Sequence, residues 1–246
     1  MTPWRTWRTR LILFFAVLGP GFITANVDND AGGILTYSAA GAQYGYTLLW
    51  TMIPPPDGWT HADRNRDVSF VGTPYDDRAD TLTRLSALNE FGVVISGNRR
   101  SWERALTPHA FTALYREGEL YQQQYREAIW RSKINLSFIT RSNQDEFVHK
   151  SFEIAGCGGF LLAERSEGHL QRFREDEEAV FFSTFDELLQ KIRRYLPDEA
   201  ARQRIAAAGH ARAVRDGYHN DHQVSLIADR VQQLLPTLKN ARPTPP

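Results

Sequence analysis

The sequence predicts an α/β fold, a parallel sheet flanked by helices, preceded by an apolar helical segment of membrane type. From Asp67 onward, short apolar runs alternate with stretches whose apolar residues recur at helical spacing, the signature of strand-helix units in a parallel sheet. The best of those runs, GVVIS at 92–96, is apolar throughout, as in strands buried on both faces. Charge is also unevenly placed: between Leu11 and Pro54 the formally charged residues are Asp28 and Asp30 alone, whereas the chain after Pro56 is dense in Arg, Asp and Glu. The two parts have the compositions of different proteins.

The first part opens with Arg5, Arg8 and Arg10 and continues into an apolar run of 17 residues, 11–27, broken by Gly19-Pro20-Gly21. A straight membrane span takes about 20 residues, so three readings stand: a signal peptide, a buried core helix, or a broken transmembrane helix. The 27–33 stretch, VDNDAGG, puts carboxylates and glycines in the break, an arrangement tolerated in a membrane where unwound backbone lines an ion site. The basic start keeps the amino terminus cytosolic by the positive-inside rule. A hairpin formed by 11–27 and 34–53 would return the chain to the cytosol, attached to the inner face of the membrane. Pro54-Pro55-Pro56-Asp57-Gly58 then interrupts any helix or central strand and marks the junction. The predicted domains are 1–54, 57–239 and a proline-rich tail at 240–246.

In the second part, 67–72 (DVSFVG) reads as a strand and 76–91 as a helix burying Ala79, Leu82, Leu85 and Leu88. The strand at 92–96 follows, then a helix at 120–132, a strand at 133–139 (KINLSFI), a helix at 146–155 and a strand at 159–163 (GFLLA). A last strand at 179–182 precedes Thr184, which with Glu187 has the spacing of a capping box and opens a helix with Phe185, Leu188, Leu189, Ile192 and Leu196 on one face. Helices at 198–215 and 224–235 close the domain. Ligands are expected at the carboxyl ends of the strands.

Composition narrows the chemistry. Lys plus Arg and Asp plus Glu number 29 each in 246 residues, so no global field draws the chain to nucleic acid. One cysteine, Cys157, excludes an internal disulfide or a multi-cysteine metal site and agrees with a reducing compartment, the cytoplasm. Cys157 is expected to pack rather than react, and His219 with His222 to lie on a solvated face. The segment 133–164 carries the most information: strand, polar loop, short helix with Glu153, Gly-rich turn, strand. A helix start facing that loop offers backbone donors and positive dipole to a phosphate. Glu153, among the apolar Phe152, Ile154 and Ala155, is placed to accept from two ribose hydroxyls. The plainer alternative is local pairing of Glu153, with Gly156, Gly158 and Gly159 serving close packing of helix on strand.

Two resemblances sharpen these readings. GPGFITANVDNDAGGILTYSAAGAQYGYTLLWTMIP resembles the first transmembrane helix, and the start of the second, of Nramp-type divalent metal transporters. It implies a metal role for Asp30, with Ala31 and Gly33 departing from the family's Asp-Pro-Gly-Asn motif. The match covers 1–54 alone, so metal transport by this chain is not expected. Blocks in order over 67–219 resemble the donor-binding, carboxy-terminal half of group 1 glycosyltransferases of the two-Rossmann, GT-B fold, in particular the spore-maturation glycosyltransferase-like group. They are DVSFVGT with Asp77-Arg78, KINL, SFEIAGCGG, LAER, Tyr195-Leu196, and Arg204-Ile205-Ala206 with Gly209.

This second resemblance implies a Rossmann-like half and a nucleotide-sugar donor as substrate, with no tightly bound cofactor. Glu153 would hold the ribose, and Gly72, Thr73, Arg78 and Gly158 would complete donor binding near the diphosphate. Asp145 and Lys150 would face the transferred sugar as catalytic candidates. Asp145 stands where many relatives carry Glu, and Lys150 where the group commonly has Arg, whose bidentate fork lysine cannot make. The acceptor-side domain has no counterpart in the sequence, so the expected function is donor binding for hexosyl transfer with catalysis incomplete. A non-catalytic nucleotide-binding module and a metal-transporter fragment are the alternatives. The expected partners are the nucleotide sugar and, through 11–53, the membrane; the acceptor is not identified by any motif.

Overall fold

The structure, a computed structural model, describes residues 53–218 together with 225–226, 229–230 and 232–233. The chain divides into two units, Met1–Leu48 and Leu49–Pro246. The predicted apolar segment up to residue 52, Asp30 with it, half of the last predicted helix and the tail at 240–246 lie outside the described residues.

Among the described residues six strands form one sheet: β1 (Arg66–Val71), β2 (Val93–Ser96), β3 (Tyr115–Glu117), β4 (Ser132–Ser137), β5 (Leu161–Glu164) and β6 (Val180–Phe182). Every pairing is parallel and the order is β3-β2-β1-β4-β5-β6. The chain winds outward from β1 to β3, returns beside β1 with β4 and winds outward to β6. Strand order therefore reverses between β1 and β4, the place where Rossmann-like sheets open a crevice at their carboxyl ends. The helices are α1 (Arg78–Ala87), α2 (Arg99–Ala105), α3 (Pro108–Leu114), α4 (Gln122–Trp130), α5 (His149–Gly156), α6 (Glu167–Arg172), α7 (Phe185–Tyr195) and α8 (Glu199–Arg215).

Alternation along the strands divides the core between the two faces of the sheet. Val68, Phe70, Ile134, Leu136 and Leu162 pack with Leu82 and Leu85 of α1, Trp102 of α2 and Leu188 and Ile192 of α7. Leu161, Ala163 and Phe181 face the other way and pack with Tyr125 and Ile129 of α4 and Ile154 of α5. Burying each such Leu, Ile or Phe contributes about 1.5–3 kcal/mol. The helix ends follow local chemistry: Thr184 Oγ1 accepts from Glu187 N at 3.2 Å and starts α7, and Asp198 Oδ1 accepts from Ala201 N at 2.9 Å and starts α8.

Four elements go beyond the sequence reading: α2, α3, β3 and α6. Each is too short to show periodicity. Asn98 caps α2 by accepting from Ser101 N at 3.1 Å, and Thr107 with Pro108 at the first helical position starts α3. The helix predicted from 146 begins at His149, because Val148 is held in an extended conformation (φ −128°, ψ 150°). Among the described residues no helix is long and apolar enough to cross a membrane.

Glycine is required at 97, just beyond β2. Its φ is +152°, and a Cβ there would stand 2.2 Å from the Gly72 carbonyl oxygen. Gly97→Ala is expected to lower the melting temperature by roughly 4–8 °C, the equivalent of about 2 kcal/mol of backbone strain and displacement. Differential scanning calorimetry checks this, and an unchanged transition would show that the Gly72 turn yields without cost.

Candidate functional site

The loops that follow β1 and β4 meet at the reversal of strand order, and Arg78 ties them together. Its side chain is buried, with 5% of the residue exposed. Nη1 donates to Thr73 O at 3.1 Å in the loop after β1, while Nη2 donates to Phe138 O at 3.2 Å, Ile139 O at 3.1 Å and Thr140 Oγ1 at 2.9 Å after β4. The guanidinium also lies 5.8 Å from the centre of the Phe70 ring and 5.4 Å from that of Tyr75. A second cation reinforces the junction: Arg141 N donates to Asp76 Oδ2 at 2.9 Å, its Nη1 to Asp77 Oδ2 at 3.2 Å, and its Nε to Glu164 at the end of β5 at 3.0 Å. Asp77 and Glu164 both hold the Arg141 guanidinium in its charged form, the bond to Glu164 being the larger effect.

Beside this junction α5 begins without a side-chain cap, since the Val148 side chain carries no acceptor, and the Val148 carbonyl accepts from Ser151 N at 3.1 Å. Lys150 is in the first turn. Its ammonium lies 5.7 Å from the centre of the Phe70 ring and 5.5 Å from that of Tyr125, and a Cβ on Gly72 would come within 3.4 Å of its Cε. Glu153 is three residues on, on the same face of the helix. Tyr125 Oη donates to Glu153 Oε2 at 2.8 Å. Burial, and then the Glu153 carboxylate, push the Tyr125 phenol well above its ordinary 10, so it remains a donor. Under Lys150, the side chains of Ser69, Tyr125 and Asn135 surround a water-sized recess.

Asp145 lies in the loop before α5, its N–H donating to Thr140 O at 3.2 Å, the same residue whose hydroxyl Arg78 holds. Its Oδ2 is buried with no hydrogen-bond partner among the described residues. Farther in, Ser151 Oγ stands 3.0 Å from Ser137 Oγ and 2.8 Å from His169 Nε2, and His169 Nδ1 stands 2.8 Å from Glu164 O. All three side chains are fully buried. Burial lowers the His169 pKa from its ordinary 6.5, with Arg172 adding to the effect and the Glu164 carbonyl opposing it.

A depressed histidine pKa means that the unfolded chain binds the proton more readily than the native one. The stability it contributes is complete above about pH 6.5 and declines as pH falls below that value. The melting temperature of a His169→Gln variant should thus lose less than that of the parent between about pH 7 and 5. Parallel pH profiles for the two would contradict a neutral, buried His169.

The structure brings together six of the residues singled out in the sequence: Gly72 and Thr73 after β1, Arg78 at the start of α1, Asp145 before α5, and Lys150 and Glu153 on it. It does not bring Gly158 to them. Gly158 follows α5 and precedes β5, at the amino-terminal edge of the sheet, where its φ is +69° and a Cβ would stand 3.2 Å from Pro55 Cδ. Neighbouring Cys157 is buried, and burial pushes its thiol up to about 12, so it packs and does not react. The sequence reading missed Tyr125, Arg141, Glu164 and His169. Tyr125 is a stripe residue of an amphipathic helix, Arg141 lies in a polar loop, Glu164 closes an apolar strand within the LAER block and His169 sits on a two-turn helix; only the fold places them beside the rest.

Residues 78–229, more than half of the chain, match the family model described as glycosyl transferase-like. Residues 21–54 match a second model, natural resistance-associated macrophage protein-like. No curated protein matches the chain. Among solved structures it is similar to sucrose-phosphate synthase from Thermosynechococcus elongatus, at 14% identity and a TM-score of 0.55 over 85% of this chain and 57% of that one. It is similar to a glycosyltransferase from Rickettsia africae, at 10% identity and a TM-score of 0.54 over 70% of this chain and 48% of that one. HepE from Anabaena, solved in complex with UDP and glucose, gives 12% identity and a TM-score of 0.55 over 70% of this chain and 52% of that one. The chain thus spans about half the length of these structures. The shared fold is the Rossmann-like, carboxy-terminal half of a GT-B glycosyltransferase. The chain belongs to the glycosyl transferase-like family.

Proposed function

We propose that this unit binds a nucleotide-sugar donor over the carboxyl edge of its sheet and contributes the donor side of a glycosyl transfer of hexosyl type. The observation that carries the reading is the convergence of Lys150 and Glu153, on one face of a helix that starts without a side-chain cap, with the Gly72 turn at the reversal of strand order. Glu153 supplies acceptors for ribose hydroxyls. Lys150 and the positive end of the α5 dipole supply positive charge for the diphosphate. Arg78, with both Nη groups engaged by its own chain, acts on the diphosphate by holding the Thr73 turn, and a direct contact requires it to release one of those acceptors. Asp145 and Lys150 are the groups nearest the transferred sugar in this reading. The relatives solved with UDP and glucose or UDP-glucose support the choice of donor class.

Transfer by such an architecture rests on positioning donor against acceptor and on stabilising the departing diphosphate from two walls. The described unit supplies one wall. It is therefore expected to bind donor more effectively than it releases sugar from it. A thermal-shift panel on the full chain tests the reading: UDP and UDP-glucose should raise the melting temperature, since a ligand bound only to the native state stabilises it by mass action. The same samples should release little UDP from UDP-glucose. A shift produced by divalent metals alone, with none from either nucleotide, would favour the metal-transporter alternative centred on Asp30.

A further inference from the structure

The buried chain Ser137, Ser151, His169 puts polar groups where apolar side chains could pack. Three polar side chains under a helix have to be stripped of water, and their hydrogen bonds do little more than offset that cost. What they add is direction. The Glu164 carbonyl can only accept, so His169 Nδ1 carries the proton. The neutral ring then accepts at Nε2 from Ser151, and Ser151 accepts from Ser137, so each hydroxyl has one orientation. The imidazole is itself immobilised, stacked on Phe181 at 5.5 Å and 13°. Its helix, α6, grips the loop before α5 as well: Ser166 Oγ accepts from His169 N at 3.2 Å and donates to Glu146 O. Gly168 allows the approach, since a Cβ there would stand 2.7 Å from Glu146 O.

Ser151 is on the inner side of the first turn of α5, and Lys150 and Glu153 share the adjoining face. Whatever fixes Ser151 fixes the rotation of that turn. We propose that His169 is a positioning residue for the donor site: through Ser151 it sets the rotation and depth of the start of α5, and with them the points from which Lys150 and Glu153 reach the ligand. This deepens the donor-binding reading and rests on it.

The test uses the full chain and UDP as probe, at a temperature where circular dichroism shows each variant folded. His169→Phe fills the space without the hydrogen bonds and is expected to weaken UDP binding at least about tenfold. Ser151→Ala should do the same, and the double variant should be no worse than the weaker single one, because both break one link. His169→Gln keeps a donor and an acceptor and should stay within about threefold of the parent. A residue that only supports the fold would lower the melting temperature of His169→Phe and leave the affinity of the folded variant unchanged. That result, or a loss that Gln does not recover, overturns the proposal. If His169→Phe does not fold, Ser151→Ala and His169→Gln decide by the same criteria. Hydrogen exchange over residues 146–156 separates the two layers of the argument. If the parent binds no UDP, the donor-binding reading falls, while faster exchange confined to that segment in Ser151→Ala still supports the positioning role and unchanged exchange overturns it.

Discussion

Replacing Glu153 with Gln is expected to weaken UDP binding by roughly 30- to 150-fold, which corresponds to about 2–3 kcal/mol, the scale of hydrogen bonds to a charged group. The substitution keeps the shape of the side chain. It also keeps an acceptor for Tyr125 Oη, which now stands 2.8 Å from Glu153 Oε2, so the helix and its contact with α4 should survive. What is lost is the charge that strengthens both bonds to a ribose diol. Isothermal titration of parent and variant, each folded at the chosen temperature, gives the ratio. Equal affinities would remove Glu153 from the site and return it to the plainer role of a local partner for Tyr125.

Arg78→Ala should produce the largest loss of stability in the site, about 3 kcal/mol, or roughly 6–12 °C in melting temperature. The guanidinium serves Thr73 O, Phe138 O, Ile139 O and Thr140 Oγ1 together; alanine cuts the tie between the two loops and takes the side-chain donor from the acceptors after β4, while Thr73 O keeps Tyr75 N at 2.9 Å. Lysine cannot span them, so Arg78→Lys should recover little of the loss. With the loops untied, the Gly72–Thr73 turn drifts away from α5, and affinity for UDP should fall more than affinity for uridine, which lacks the diphosphate. An equal fall for both would mean that Arg78 acts on the fold as a whole and not on the phosphate side of the site.

The sheet was legible because it obeys periodicity: GVVIS, KINLSFI and GFLLA are strands in the structure, with boundaries shifted by one or two residues. β3 was not legible. It is three residues long, and Tyr115 and Glu117 become a strand only by pairing with Ile95 and Ser96. The same division holds in the site. Glu153 is visible as a charged residue among the apolar Phe152, Ile154 and Ala155, whereas Lys150 is singled out only by the family resemblance. The sequence also singled out Arg78, but nothing in it shows that Arg78 turns inward, because its four acceptors include three backbone carbonyls, two of them some 60 residues away. Gly158 shows the same division: a glycine after a helix can serve a phosphate or a close approach, and only the fold shows that this one lies beside Pro55. His169 was hidden because its partners are a serine on another helix and a carbonyl, neither of which leaves a spacing rule.

The central claim is that the carboxyl edge of this sheet holds a nucleoside diphosphate carrying a sugar. Calorimetric titration of the full chain with UDP-glucose, UDP and uridine tests it most directly. Saturable binding at one site per chain is predicted, with UDP and UDP-glucose bound at least about tenfold more tightly than uridine, because Lys150 and the start of α5 address the diphosphate. Absence of binding by all three, or the same affinity for uridine as for UDP, would contradict the account.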